Sequence, residues 1–286
     1  MARKKNKFAL MVIIPTLIIF FLFHTLPLLQ GIFYSFTDFK GYGDWNFVGF
    51  RNYMNVFLDT RVQSAYIFTL SFAILSTIMV NIISMFLAVG LNSKIKYHKT
   101  LRAIYFIPYM LGTLIIGYIF SFIFTNLLPV LGETLNIEIL KNNILGNPDL
   151  AWIGIVIVAV WQSAAFNTIL YISGLVTIDP DLYEAADIDG ANGWIKFWKI
   201  TFPLIAPFFV INMVVSMKNF LMVFDQIVSL TGGGPGTSTE SISLLIYRGG
   251  FQGGEFAYQS ANAVVFFIII VFISLFQIKV LERKKD

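Results

Sequence analysis

The chain has 286 residues, of which 57% are hydrophobic and 13% charged, and it carries a formal net charge of +4. Soluble globular domains contain about 45–50% apolar and about 25% charged residues, so this chain has too little polar surface to cover a water-soluble body. It has no cysteine and only two widely separated histidines, which excludes disulfide frameworks and Cys-based metal sites and argues against a histidine-rich one. The composition therefore predicts a polytopic membrane protein.

Six stretches are long and apolar enough to cross a bilayer, because a helix needs about 20 apolar residues to span the hydrocarbon core. We predict an all-α fold with six transmembrane helices, at 8–36, 64–91, 103–126, 151–178, 204–230 and 257–280. The first stretch follows a basic tail, but it is longer than the roughly 7–15-residue apolar region of a signal peptide. We therefore expect it to be retained as the first span.

Lysine and arginine are unevenly distributed between the two sets of loops. With the N-terminus placed inside, 14 of the 20 basic residues fall in inside segments, 5 in outside loops and one, Lys218, within a span. The inside loop at 92–102 holds four of them, namely Lys94, Lys96, Lys99 and Arg102. Because cytoplasmic loops are enriched in these residues, we predict that both termini are cytoplasmic. The positive charge thus indicates orientation, and no nucleic-acid partner is expected.

The loop after the fourth stretch predicts a short helix outside the bilayer. Asp179 suits an N-cap, Pro180 suits the first helical position, and Gly190 suits a left-handed stop. Part of the surface of this helix carries small side chains that let a partner approach closely: Ala185, Ala186 and Ala191. An amphipathic return segment follows, and Pro203 opens the fifth span. The alternative is an ordinary acidic loop that keeps two spans apart.

These residues resemble the EAA loop of binding-protein-dependent ABC transporter permeases. The shared pattern comprises Glu184-Ala185-Ala186, Gly190, and Ile200 with Pro203, although Phe202 stands where Leu is usual. The run from Asp181 to Ala191 is similar to the carbohydrate-uptake branch, which includes maltose, multiple-sugar and glycerol-phosphate permeases. Three further segments resemble the same branch in matching order, at 47–53, 102–108 and 230–235.

The resemblance implies a permease subunit that docks its loop into a separate cytoplasmic ATPase and forms half of a translocation pathway. The implied coupling residues are Glu184, Ala185, Ala186, Asp189, Gly190, Ala191 and Pro203. The implied partners are a second homologous permease, two ATPase subunits, an external substrate-binding protein and a sugar or oligosaccharide, in the membrane of a prokaryotic cell. The subunit itself is expected to be non-catalytic and to hold no cofactor, with ATP and Mg bound by the ATPase.

The resemblance also divides the chain into three parts. We expect an N-terminal tail, first span and external loop at 1–62, a five-helix permease core at 63–280, and a cytoplasmic tail at 281–286. The core contains the coupling loop at 179–203. The predicted outside loops each exceed 20 residues, which is long enough to offer a docking surface.

The glycine-rich segment after the fifth stretch is not a P-loop, because the chain contains no Gly-Lys pair to complete G-x-x-x-x-G-K-[ST]. The resemblance makes it an external loop that contacts the binding protein. The contact residues would be Thr231, Gly232, Gly233, Gly234 and Pro235. The alternative is a flexible turn.

Polar and aromatic residues of the fourth and fifth stretches are candidates for the substrate pathway, since polar groups in hydrocarbon usually face a cavity or another helix. They are Trp161, Gln162, Ser163, Asn167, Ser216, Asn219 and Phe220. Asn212, Ser216 and Asn219 form a stripe at helical spacing, whose amides and hydroxyl suit sugar hydroxyls. The alternative is that these residues form interhelical hydrogen bonds that hold the bundle together.

Lys218 and Asp225 motivate a different function, an ion-coupled secondary transporter in which these two residues form a relay. Against it, the chain shows no pair of inverted, broken-helix halves of the kind that secondary carriers have. A third possibility, an intramembrane enzyme, needs a nucleophile–base set or a metal cluster at one depth, and the sequence offers neither.

Overall fold

The computed structural model describes residues 2–92 and 98–282. Within these ranges the chain is helical and has no strand, apart from an isolated antiparallel bridge between Thr37 and Phe47. The all-α prediction is therefore confirmed. Lys94 and Lys96, which entered the charge count, and residues 283–286 of the expected tail lie outside the described residues.

Six helical stretches of the described chain are long and apolar enough to cross a membrane, as the sequence predicted. They are Met11–Tyr34, Thr60–Asn92, Thr113–Leu135, Ala151–Leu175, Gly193–Leu221 and Phe256–Leu281. We refer to them as the first to the sixth span. Shorter helices lie between them at Arg51–Leu58, His98–Met110, Asp181–Ile188, Asp225–Leu230 and Ile242–Tyr247, with 3₁₀ turns at Glu138–Leu140 and Ile144–Gly146.

The third span differs from its predicted bounds at both ends. Helix His98–Met110 ends before Gly112, whose backbone is extended at φ −62° and ψ 133°, and the span starts only at Thr113. It then continues to Leu135 and ends where Asn136 adopts a left-handed φ of 54°. The break falls at a glycine, a residue of low helix propensity, although Gly117 in the same span is helical. The outside loop is therefore shorter than the predicted 127–150.

The fifth span was predicted as one helix over 204–230, and that prediction was wrong for the part after residue 221. The helix ends at Leu221, and Asp225–Leu230 forms a separate helix after the irregular backbone of Phe224. This short helix packs against the third span at Gly117, where a Cβ would lie 1.8 Å from Ser229 Oγ. The close approach explains the break, because a straight continuation of the span could not bring Ser229 there.

Three π-helical turns of the described chain each end two residues before a proline. At each of these turns the N–H that follows the turn donates to a carbonyl five residues earlier. A proline lacks the N–H for an ordinary helical bond, and its ring clashes with the carbonyl four residues earlier, so a wider preceding turn accommodates it. The turns are Phe21–Thr25 before Pro27, Ile123–Leu127 before Pro129, and Phe197–Thr201 before Pro203.

Contacts between residues group the chain into two compact units. One comprises Met1–Gln63 and Leu245–Ile269, and the other comprises Ser64–Leu244 and Ile270–Asp286. In the first unit the loop after the first span is ordered by side-chain hydrogen bonds. Asn52 Nδ2 donates to the carbonyls of Ser35 and Thr37, at 2.8 and 2.7 Å, and the Tyr258 hydroxyl donates to Asp59.

The same loop fixes one carboxylate. The backbone N–H of Asn46 donates to Asp38 Oδ1 at 2.6 Å, and its side-chain amide donates to Oδ2 at 3.2 Å. These bonds favour the charged form, so they lower the pKa of the exposed Asp38 carboxyl. The loop is thus held together by an ionised side chain at neutral pH.

The second unit has its apolar core where the second, fourth and fifth spans meet. The buried members are Met85, Ala88, Tyr171, Ile172, Leu175, Ile178 and Ile205. Tyr183, from the loop after the fourth span, and Phe197, from the beginning of the fifth span, pack against this core. The loop that resembles the EAA segment is therefore anchored on the buried part of its own unit.

Candidate functional site

The loop after the fourth span forms the short helix that the sequence predicted. It runs from Asp181 to Ile188, slightly shorter than expected, and the Asp179 carboxylate accepts a hydrogen bond from the Asp181 N–H at 3.0 Å. Asp179 thus caps the turn that leads into the helix, one residue earlier than predicted, because Pro180 stands directly before the helix and has no side-chain cap bond. We call Asp181–Ile188 the docking helix.

The docking helix ends in a Schellman motif centred on Gly190. Gly190 has φ +72°, its N–H donates to the Asp187 carbonyl, and the Ala191 N–H donates to the Ala186 carbonyl at 2.9 Å. No atom lies within 4 Å of the position that a Gly190 Cβ would take. The glycine is therefore required by its backbone conformation and not by crowding within the chain.

The coupling residues inferred from the sequence differ in exposure. Those with exposed side chains or backbone are Glu184, Ala185, Asp189, Gly190 and Pro203, whereas Ala191 is half-buried and Ala186 is buried. Ala186 therefore faces its own unit. Ile188 was not predicted as a coupling residue. It is 87% exposed and adds an apolar contact point at the end of the docking helix. The signal for it in the sequence is an isoleucine placed among acidic residues.

Two side-chain contacts join the docking helix to the start of the fifth span. The Tyr183 hydroxyl lies 2.8 Å from Thr201 Oγ1, and Lys196 Nζ forms an ion pair with Asp187. The start of the span is itself capped, because Asn192 Oδ1 accepts from the Ile195 N–H at 2.9 Å. None of these four contact residues was predicted, since Tyr183 and Thr201 are 18 positions apart in the sequence.

Several of the candidate pathway residues are buried and bonded between helices. Asn167 Nδ2 donates to Ser216 Oγ at 2.8 Å, and Asn212 Nδ2 donates to the Asn167 carbonyl at 3.3 Å. Gln162 Nε2 donates to the carbonyl of Leu111 at 3.3 Å, which satisfies a carbonyl beside the helix break. The hydrogen bonds of these residues support the alternative given by the sequence, that such polar side chains hold the helices of the bundle together.

The remaining candidates are more accessible, with one exception. Asn219 is exposed, Trp161 is 39% exposed and lies against Phe120, and Ser163 is half-buried. Phe220 is the exception, because it is 3% exposed and makes an edge-to-face contact with Phe72. The predicted stripe is thus split, with its Asn219 end exposed and its other end in the helix packing.

Lys218 and Asp225 are both exposed and lie on opposite sides of the break after Leu221. The two charged residues therefore stand on separate helices, which differs from the single face on which the sequence placed them.

In the described part of the chain, no group of three or more histidine, aspartate and glutamate side chains could hold a metal ion.

The glycine-rich segment is an ordered turn. Thr231 Oγ1 lies 2.8 Å from Thr239 Oγ1, and Thr239 Oγ1 donates to the Gly234 carbonyl at 2.7 Å. Gly232 and Gly233 have φ values of +58° and +87°, which only glycine adopts readily. The segment is therefore a hydrogen-bonded turn, and its contact with a binding protein stays a prediction.

Comparison with known proteins identifies the family. Residues 47–286 match the family described as "Binding-protein-dependent transport system inner membrane component". The chain belongs to this family, and the resemblance seen in the loop at 179–203 is confirmed.

Two relatives match along nearly their whole length. The probable starch degradation products transport system permease protein AmyD of Thermoanaerobacterium thermosulfurigenes is 35% identical, over 96% of this chain and 93% of the relative. The multiple sugar-binding transport system permease protein MsmF of Streptococcus mutans is 37% identical, over 95% and 94%.

Solved structures share the fold. A bacterial ABC transporter involved in the import of the acidic polysaccharide alginate has a chain that superposes with a TM-score of 0.86 at 23% identity, over 99% of this chain and 98% of that one. The alginate transporter in complex with an alginate pentasaccharide-bound periplasmic protein gives 0.82 at 24% identity, over 96% and 93%. At this identity the likeness establishes the architecture.

Proposed function

We propose that this chain is a membrane-spanning permease subunit of an ATP-driven ABC importer and that it couples to a separate ATPase through the loop at 179–203. The observation that carries the proposal is the docking helix itself. It is capped at both ends, anchored on the core through Tyr183, and presents Glu184, Ala185 and Ile188 outward. A rigid helix with small and apolar exposed residues suits insertion into a groove of another protein.

The substrate we propose is a sugar or oligosaccharide. The relatives named for starch degradation products and for multiple sugars, and the fold shared with an alginate importer, support this class. Within this chain, the exposed Trp161 and Asn219 and the half-buried Ser163 are the proposed pathway residues, while Gln162, Asn167, Ser216 and Phe220 position the helices that carry them. An aromatic face and an amide suit the apolar and polar sides of a sugar ring.

The complete transporter would contain a second homologous permease, two cytoplasmic ATPase subunits and an external binding protein, with this chain forming half of the pathway. The excess of basic residues in one set of loops supports cytoplasmic termini in a prokaryotic cell membrane. The segment at 231–235 would then face outward, where its ordered turn suits contact with the binding protein. The spans carry broad exposed apolar surfaces that suit lipid.

ATP and Mg would bind to the ATPase, and this chain would be non-catalytic and hold no cofactor. The ion-coupled alternative is not favoured, because family membership points to binding-protein-dependent transport. The separation of Lys218 and Asp225 onto two helices also weakens a direct relay between them.

The test is purification of the tagged chain in mild detergent from its own membranes, with mass spectrometry of the proteins that co-purify. We expect an ATPase and a second permease. Gly190→Asp should leave the chain in the membrane, because Asp tolerates positive φ and no atom of the chain crowds the site. Placing a charged side chain on the docking surface should reduce ATPase capture at least about tenfold, or 1.4 kcal/mol.

The matched control is Gly43→Asp, since Gly43 also has a positive φ of +75° and open space around it but lies far along the chain in the loop after the first span. Glu184→Arg should act as Gly190→Asp does, whereas Glu133→Arg, at another exposed glutamate, should not. A chain that purifies alone, or a Gly190→Asp variant with normal capture and uptake, would contradict the proposal.

A further inference from the structure

A hydrogen bond between two hydroxyl groups joins the docking helix to the fifth span. The Tyr183 hydroxyl and Thr201 Oγ1 lie 2.8 Å apart. Thr201 Oγ1 also lies 3.4 Å from the Lys196 carbonyl. Thr201 is 6% exposed, so this bond is shielded from competition by bulk water.

A second contact lies one helical turn further along the docking helix. Asp187 forms an ion pair with Lys196, whose side chain is only 20% exposed. Tyr183 and Asp187 stand at i and i+4 on one face of the docking helix. Lys196 directly precedes the π-helical turn at the start of the fifth span, and Thr201 is the last residue of that turn. The two contacts are one turn apart on the docking helix and one turn apart on the fifth span. Together they fix the rotation of the docking helix about its axis as well as its distance from the span.

The covalent connection between the two helices is short and is itself hydrogen-bonded. In residues 189–192, the Gly190 and Ala191 N–H groups bond back to the docking helix, and the Asn192 side chain bonds forward to the Ile195 N–H. Beside the two polar contacts lies a cavity of about 260 Å³ lined by Asn92, Tyr183, Lys196 and Thr201, among other residues. The polar contacts therefore act together with the apolar packing of Tyr183 and Phe197 in setting the angle between docking helix and span.

We propose that Tyr183, Thr201, Asp187 and Lys196 are positioning residues that transmit movement of the docking helix to the fifth span. This inference rests on the proposed function. A displacement imposed on the exposed face of the docking helix is carried by the two contacts into the π-helical turn, and the fifth span then turns with it. Without them, only the short link at 189–192 and the apolar packing of Tyr183 and Phe197 join the docking helix to the span, so less of the movement reaches the span.

The test uses the complete transporter, purified through a tag on this chain and reconstituted in proteoliposomes. The chain has no cysteine, so Met222→Cys, at the exposed end of the fifth span, gives this subunit a single site for maleimide labelling. The label is read on this subunit after it is separated from its partners. In this background, trapping with ATP and vanadate should change the labelling rate at least about fivefold. Tyr183→Phe and Thr201→Val each remove one hydroxyl without changing the side-chain shape.

Each single variant should reduce the ATP-vanadate response to less than about twofold while ATPase capture and hydrolysis persist. The double variant should be no worse than either single one, because both remove the same bond. Tyr118→Phe, at an exposed tyrosine of the third span, is the matched control and should keep the full response. A full response in Tyr183→Phe would overturn the inference.

The ion pair gives an independent rescue. Asp187→Lys alone should weaken the response, and combination with Lys196→Asp should restore most of it, which a nonspecific loss of stability would not do. Failure of the paired exchange to restore the response would refute the role of this pair. Loss of ATPase capture in the unaltered transporter would instead overturn the proposed function, and the inference with it.

Discussion

Asn167 makes hydrogen bonds to two positions of the fifth span, and this placement decides what the neighbouring polar residues can do. Its side chain donates to Ser216 and its carbonyl accepts from Asn212, both of which are essentially buried. Three residues after Ser216, Asn219 is exposed on the same span. One helix thus carries both a packing contact and an accessible amide.

This division predicts opposite effects for two substitutions. Ser216→Ala leaves Asn167 Nδ2 without its partner, so it should lower stability by about 0.6–1.7 kcal/mol while substrate uptake per folded transporter stays near normal. Asn219→Ala should leave thermal stability unchanged and reduce uptake. Thermal unfolding in detergent and uptake by reconstituted transporter separate the two. If Ser216→Ala impaired uptake at unchanged stability, Ser216 would belong to the pathway instead.

The conformation of a single residue was predictable from sequence where the local backbone alone determines it. Gly190 could be assigned a left-handed conformation because a helix end followed by glycine has few other solutions. The partners of Asn167 and Tyr183 could not be assigned, because each depends on which helix faces meet. Helical spacing placed Asn212, Ser216 and Asn219 in one stripe, but it could not tell which part of the stripe faces another helix.

At the scale of elements, the end of the fifth span is the feature that hydropathy could not locate. The apolar run continues through residue 230, yet the helix stops at Leu221 so that Asp225–Leu230 can pack at Gly117. The break leaves backbone groups that need partners. Ser241 Oγ donates to one of them, the Val223 carbonyl, at 2.9 Å.

We predict that Ser241→Ala destabilises the protein by about 1–3 kcal/mol, because the buried Val223 carbonyl loses its donor. The measurement is the midpoint of thermal unfolding in detergent, where the variant should unfold at a lower temperature. Ser173→Ala is the control, since the Ser173 hydroxyl is exposed and donates only to the Ile169 carbonyl of its own helix. Equal effects of the two substitutions would show that Ser241 does not maintain the break.

For the whole molecule, the six apolar helices could be predicted from the composition and from the length of the apolar stretches. The division of the chain into two units could not be predicted. Residues 245–269 group with the N-terminal part of the chain, and long-range packing of this kind leaves no mark on local hydropathy. The three-part division at 62 and 280 remains a prediction. The orientation of the chain likewise depends on charge counting.

Orientation can be tested directly because the chain has no cysteine. We predict that Ile188→Cys, on the docking helix, reacts with a membrane-impermeant maleimide only from the cytoplasmic side. Asp44→Cys and Ser238→Cys, both at exposed loop positions, should react only from outside. Intact cells and inside-out vesicles provide the two sides. Labelling of Ile188→Cys in intact cells would reverse the orientation and remove the docking helix from the reach of a cytoplasmic ATPase.

The turn at 231–239 is closed by hydrogen bonds within itself. Gly232, Gly233 and Gly236 have positive φ, and Thr231 and Thr239 close the turn with hydroxyl bonds. A protein that docks on this turn therefore orders no further backbone, and the entropic cost of association is correspondingly small. Recognition at this position would depend on a fixed shape, which selects among partners by fit and not by adaptation.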